Sequence, residues 1–218
     1  MKTLLFDIEG TTTDINFVHK VLFPYSLERM EAFILRHPQH PALDLVRKTL
    51  LEEKNIDANL ETCIEALIGW IRTDRKHGAL KQIQGEIWQH GYAAGDFKGH
   101  LYPDVLPAWQ RWLEAGFQIA IYSSGSVQAQ KLIFGYSSEG DLTPIISHYF
   151  DTKVGGKREV ESYLNIQKVI GPDVTFFSDI SEELDAAKLA GFKTVQVFRD
   201  EVKPSAHQSI KSFSEFSA

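Results

Sequence analysis

The chain has 218 residues, 43 % hydrophobic and 24 % charged, with a formal net charge of -6. That composition excludes a low-complexity or disordered chain, and the acidic balance argues against a nucleic-acid surface, whose footprint is basic. The single cysteine, Cys63, excludes an internal disulfide and suits a reducing compartment. No signal-peptide pattern is visible, because Asp7 and Glu9 interrupt the first apolar run. No apolar run approaches the roughly 20 residues that cross a bilayer. The expectation is a cytoplasmic protein without a membrane partner.

In chain order, Lys2–Phe6 is a short apolar run closed by Asp7, the pattern of a buried parallel strand. A helical block follows. Tyr25–Arg36 and Ala42–Glu53 are helix-like. Leu60, Cys63, Ile64, Leu67, Ile68 and Ile71 recur at helical spacing, as do Leu80, Ile83, Ile87 and Gly91. The block is far longer than a simple crossover needs. Residues 17–95 therefore read as a helical cap inserted after the first strand, with 1–16 and 96–218 forming an α/β core. Trp70, Trp88 and Tyr92 fit core packing in that block.

Phe117–Tyr122 is a second strand run, ending in Ser123, and a helix is expected over Val127–Phe134. Val174–Phe177 is a third run, ending in Ser178 and Asp179, and Thr194–Phe198 is a fourth. Helical patterns over Arg158–Ile170 and Glu182–Ala190 separate them. Alternating strands and helices give an α/β fold with a doubly wound parallel sheet. The polar tail after Lys203 is expected to be a short helix at most, or a loose end. Three of the four runs end in Asp7, Ser123 or Asp179. In open parallel sheets ligands bind outside the carboxyl ends of the strands, so these groups should converge.

Asp7 leaves its strand into Ile8-Glu9-Gly10-Thr11-Thr12, rigid at its base and exposed at its tip. A carboxylate so placed can attack phosphorus and form an aspartyl-phosphate. Glu9, two residues on, can protonate the leaving oxygen and then take a proton from water. The same string is also good turn chemistry. Ser123-Ser124-Gly125 offers hydroxyls and backbone N–H groups at a helix start, an anion site, while Ser124 or Ser126 is equally a helix cap. Lys157, in Gly155-Gly156-Lys157, can neutralise a nucleophile and a phosphate oxygen together. Lys153 is the competing lysine. The glycines and the helix entry favour Lys157. Asp179 is a hard oxygen donor suited to Mg²⁺. Glu182 and Glu183 complement a helix dipole, and Glu183 can also support the metal site from one turn away.

In this order, acid pair, serine, lysine and acid resemble the four motifs of the haloacid-dehalogenase-like hydrolases. Glu9 departs from that superfamily's Asp-x-Asp pattern and points to one branch. Phe6-Asp7-Ile8-Glu9-Gly10-Thr11-Thr12, Val21-Leu22-Phe23-Pro24-Tyr25 and Leu80-Lys81-Gln82-Ile83-Gln84-Gly85 resemble the enolase-phosphatases of methionine salvage, the acireductone synthases. So do Ile121-Tyr122-Ser123-Ser124-Gly125-Ser126-Val127, Gln130-Lys131-Leu132-Ile133-Phe134-Gly135 and Phe150-Asp151-Thr152-Lys153. The similarity runs through nearly the whole chain.

The resemblance implies a bifunctional enzyme. It enolises 2,3-diketo-5-methylthiopentyl-1-phosphate and then removes phosphate, giving the acireductone 1,2-dihydroxy-3-keto-5-methylthiopentene. Asp7 would be the nucleophile. Asp7, Asp179 and Glu9, the last through its carbonyl oxygen or its side chain, would bind Mg²⁺. Ser123, Ser124 and Lys157 would hold the substrate. The cap would keep water from the enol, and a monomer is expected. The alternative is a Mg²⁺-dependent phosphatase of another small phosphorylated metabolite. A dehalogenase would not need the metal that Asp179 implies. A silent binding module would be expected to have lost Asp7 or Asp179.

Overall fold

The computed structural model describes residues 2–200 and 205–217. The chain divides into two compact units, Met1–Phe17 with Lys98–Ala218, and Val18–Phe97. The first holds a parallel sheet of six strands: β1 (Thr3–Phe6), β2 (Gln118–Tyr122), β3 (Ile146–Phe150), β4 (Val174–Ser178), β5 (Lys193–Val197) and β6 (Gln208–Ile210). Their spatial order is β3-β2-β1-β4-β5-β6. The order reverses at β1, between β2 and β4, and a doubly wound sheet opens its ligand crevice at such a switch point. In register, Phe6 lies opposite Ile121 on one side and Phe177 on the other. Asp7 and Asp179 therefore leave adjacent strands at the same end.

Val18–Phe97 is helical. After a short π-helical stretch at Val18–Leu22 come α1 (Phe23–Arg36), α2 (Ala42–Lys54), α3 (Leu60–Arg72) and α4 (Gly78–Ala94). Pro24 sits in the first turn of α1, where a missing N–H costs nothing. Asn59 caps α3 by accepting from the Thr62 N–H, and the His77 ring caps α4 by accepting from the Ala79 N–H. Met30, Ile34, Leu43, Val46, Cys63, Leu67 and Ile83 form the centre of this unit. Trp70, Trp88 and Tyr92 are buried as well, and the Trp88 indole N–H donates to the Leu22 carbonyl at 2.8 Å.

The α/β unit carries α5 (Val105–Glu114), α6 (Val127–Gly135), α7 (Val160–Ile170) and α8 (Ser181–Leu189). Leu5, Ala120, Tyr122 and Phe176 pack with Tyr163 and Ile166 of α7 and Leu184 of α8. An aromatic stack lies on Phe6 and Phe177, whose rings are 4.7 Å apart. Trp109 and Trp112 of α5 and Phe213 close around it. Among the described residues no helix is long and apolar enough to cross a membrane.

Two strands lie outside the sequence-based expectation. β3 is a sheet edge, with Ser147 exposed and His148 and Tyr149 half-buried, so it shows no apolar run. β6 has three residues, of which only Ile210 is buried. The tail is accordingly neither loose nor merely helical. It adds a strand to β5, and its 3₁₀ turn at Phe213–Glu215 buries Phe213 completely. Lys203, where that expectation began, lies outside the described residues.

Candidate active site

Asp7 follows β1 and is 4 % exposed. Its N–H donates to the Phe177 carbonyl at 2.9 Å, continuing the ladder one residue past the strand. The chain then folds back: the N–H groups of Thr11, Thr12 and Thr13 all reach the Ile8 carbonyl, and the Thr12 hydroxyl donates to the Asp7 carbonyl at 3.1 Å. Gly10 makes the turn possible at φ 74°. A Cβ there would fall onto the Asp179 carboxylate, so the glycine lets the turn touch that side chain. Glu9 is half-buried in the same turn.

Asp179 follows β4. Its N–H donates to the Thr11 hydroxyl at 3.0 Å, and its carbonyl accepts from the Gln196 amide at 3.0 Å. The two acidic loops are thus joined through Thr11. Asp179 Oδ1 is buried and accepts no hydrogen bond from any described residue.

Lys157 joins Asp7 to the first turn of α8. Its Nζ lies 2.5 Å from Asp7 Oδ1 and 2.7 Å from Glu183 Oε2, with the side chain 10 % exposed. Glu183 also accepts from the Ser178 hydroxyl at 2.8 Å. The lysine loop is fastened through three successive carbonyls: Tyr122 donates to Gly155 at 3.0 Å, Ser162 to Gly156 at 2.7 Å and Tyr163 to Lys157 at 2.5 Å. Gly155, at φ 127°, has no room for a Cβ against the Ser162 hydroxyl. Lys153 is exposed.

Two carboxylates, Asp7 and Glu183, thus pair with one ammonium, and Asp179 feels the charges of Asp7 and Lys157 from nearby. Burial, and then the charge of Asp7, pushes the Asp179 carboxyl up to about 7. Glu183 is raised for the same two reasons. Burial works to lower Lys157, but the charges of Asp7 and Glu183 outweigh it and hold the ammonium well above the usual range.

Ser123 follows β2, next to β1, and is 3 % exposed, with its hydroxyl accepting from the Gly125 N–H at 3.1 Å. Ser124 is half-buried beside it. Of the candidate caps for α6 it is Ser126 that accepts, from the Ala129 N–H at 3.2 Å. Glu182 is exposed at the start of α8. Gln196 and Tyr163, which help to fasten the loops, carry no spacing signal in the sequence.

The arrangement fits a hard divalent cation. Asp179 offers an unpartnered buried oxygen, and at Gly10 no side chain crowds its carboxylate. Among the described residues no group of three or more His, Cys, Asp and Glu side chains is placed to hold a metal. Mg²⁺ does not need one, because it takes one or two carboxylates and completes its shell with water, carbonyl or phosphate oxygens.

A model of the haloacid dehalogenase-like hydrolases matches residues 1–191. The chain is 51 % identical over 220 residues to the enolase-phosphatase E1 of Cronobacter sakazakii, covering 99 % of this chain and 96 % of that protein. It is 50 % identical over 220 residues to that of Yersinia enterocolitica, with the same coverage. The solved structure of the UTR4 protein of Saccharomyces cerevisiae superposes with a TM-score of 0.80 at 34 % identity, covering 99 % of each chain. CbbY of Rhodobacter sphaeroides, solved with phosphate, shares the fold at a TM-score of 0.60 and 17 % identity, covering 99 % of this chain and 96 % of that one. A match over nearly the whole chain at half of all positions places this chain among the enolase-phosphatases of the haloacid dehalogenase-like hydrolases.

Proposed function

We propose that this chain converts 2,3-diketo-5-methylthiopentyl-1-phosphate to the acireductone 1,2-dihydroxy-3-keto-5-methylthiopentene and phosphate, a step of methionine salvage. One observation carries the substrate assignment. Near-full-length identity to enolase-phosphatase E1 relatives extends through the helical unit as well as the α/β unit. We assign the helical unit the role of cap, the part that selects among phosphorylated substrates.

Asp7 is the proposed nucleophile. Its carboxylate oxygen attacks phosphorus as the bond from phosphorus to the substrate oxygen breaks, leaving an aspartyl-phosphate. Glu9 protonates the departing oxygen, then removes a proton from the water that cleaves the aspartyl-phosphate. The ammonium of Lys157, beside Asp7, reduces the repulsion between carboxylate and phosphate. Ser123 and Ser124 are assigned to the phosphate oxygens. The carboxylates of Asp7 and Asp179, with the carbonyl or side chain of Glu9, would hold Mg²⁺. When bound, the cation offsets negative charge in both the enolisation and the phosphoryl transfer.

The test is to supply the diketone phosphate with Mg²⁺ and follow enol absorbance and free phosphate together. Enol should appear first and phosphate after it, with both lost to a chelator. Phosphate without enol would assign a phosphatase for another small metabolite instead.

A further inference from the structure

The guanidinium of Arg199 is fully engaged, yet it makes no contact with Asp7, Lys157 or Asp179 themselves. Its Nε donates to the Thr11 carbonyl at 2.9 Å, and its Nη2 reaches the same oxygen. Its Nη1 donates to both oxygens of Asp104, at 2.9 and 2.8 Å. The two side chains are 11 % and 18 % exposed. The guanidinium carbon lies 4.2 Å from the Tyr102 ring centre and 4.8 Å from that of Phe213. Asp104 is held in turn by the Ser212 hydroxyl at 3.0 Å and the Phe213 N–H at 2.7 Å. Thr11 is fully buried, and its hydroxyl receives the Asp179 N–H.

These bonds form one chain, from the tail through Asp104, Arg199 and Thr11 to Asp179. Arg199 grips the carbonyl, and Asp179 grips the hydroxyl, of the same residue. That residue closes the turn carrying Glu9 and Gly10. A planar fork with several fixed donors can span a carbonyl and a carboxylate at once, whereas a lysine ammonium is a point charge that cannot hold both in one plane. The short C-terminal elements thereby gain a purpose that their own burial does not require: they fix Asp104.

We propose that Arg199, braced by Asp104 and the Ser212–Phe213 turn, is a positioning residue that sets the distance between the Asp7–Glu9 turn and Asp179. The proposal deepens the assignment above and rests on its reading of Asp7 and Asp179 as one site. A loss of about 1 Å in alignment costs on the order of 10²-fold in rate. Residues that orient metal ligands from behind change metal affinity by roughly 10- to 100-fold.

The experiment compares Arg199→Lys with wild type and with Ile170→Ala, a core truncation at the far end of α7. Mg²⁺ binding is measured by calorimetry without substrate, and kcat and KM with the diketone phosphate. Both variants should lower Tm by several degrees. Arg199→Lys alone should weaken Mg²⁺ binding about 10-fold and reduce kcat about 10- to 100-fold, with KM nearly unchanged. Asp104→Asn, which keeps the arginine but removes its charged brace, should move both readouts in the same direction by less. The double variant should fall short of the product of the single effects. If Arg199→Lys, or Asp104→Asn should the first not fold, matches Ile170→Ala in Mg²⁺ affinity and kcat, the proposal is overturned and the network is structural only. Asp179→Asn separates the two levels. Unchanged Mg²⁺ affinity there would remove the site reading and this proposal together. Weakened binding there, with none in Arg199→Lys, would remove this proposal alone.

Discussion

Asp7 and Lys157 are the pair on which the proposed chemistry turns, and each has a substitution that isolates it. Asp7→Asn keeps the shape of the side chain but cannot attack phosphorus. Phosphate release should fall about 10³-fold or more with the fold retained by circular dichroism, and near-normal turnover would remove the nucleophile assignment. Lys157→Ala leaves Asp7 and Glu183 buried and facing each other without their shared cation. It should cost about 3 kcal/mol of stability in denaturant titration and lower turnover far more than Lys153→Ala, which removes an exposed group. The reverse order in a phosphate-release assay would move the assignment to Lys153. Gly10→Ala forces a side chain into both a left-handed backbone and the Asp179 carboxylate, and a loss of about 100-fold in kcat is expected from the displaced turn. Asp7, Ser123, Lys157 and Asp179 were legible because each stands where an apolar run stops or a helix starts. The pairing of Glu183 with Lys157, and the three hydroxyls that fasten the lysine loop, were not. They depend on which side chains β2, α7 and α8 bring together, and no spacing rule encodes that.

At the scale of elements, the helical unit carries its own pH response. His77 caps α4 through one ring nitrogen, while the other lies 3.0 Å from the Thr49 hydroxyl. Burial, and then the charge of Arg75, lowers its pKa below the ordinary 6.5. The unfolded chain therefore takes up a proton before the folded one does. Stability is fully present above pH 6.5 and is lost as pH falls from there through the depressed folded value. Over the same range the raised carboxyls of Asp179 and Glu183 act in the opposite sense, so the His77 contribution is read as a difference: in urea titrations, going from pH 7 to pH 5 should cost wild type more, or gain it less, than His77→Asn, which can still cap the helix. An equal change in both would place the response elsewhere. Apart from α5, the helices were legible as apolar stripes repeating every three or four residues; α5 lies outside the sequence-based expectation although it buries Val105, Ala108, Trp109 and Trp112 at that spacing. β3 and β6 escaped because edge strands bury only part of their surface, and Phe213 escaped because a lone aromatic in a serine-rich tail has no period.

At the scale of the whole molecule, the proposed Mg²⁺ site would link metal, stability and turnover. A ligand bound only by the folded state stabilises it by mass action, by about 2.7 kcal/mol at 100 times its dissociation constant. Mg²⁺ should therefore raise Tm in wild type, and Asp179→Asn should abolish that rise. A chelator should stop phosphate release while leaving the sheet and helices intact by circular dichroism. Retained turnover without divalent cation would contradict the role given to Asp179.

The most direct measurement is anomalous diffraction from crystals in which Mn²⁺ replaces Mg²⁺, with a phosphate analogue present. We expect a single strong peak bonded to oxygens of both Asp7 and Asp179, with the Lys157 nitrogen and the Ser123 hydroxyl against the analogue. A peak on only one of the two carboxylates, or a metal bound elsewhere, would contradict the account.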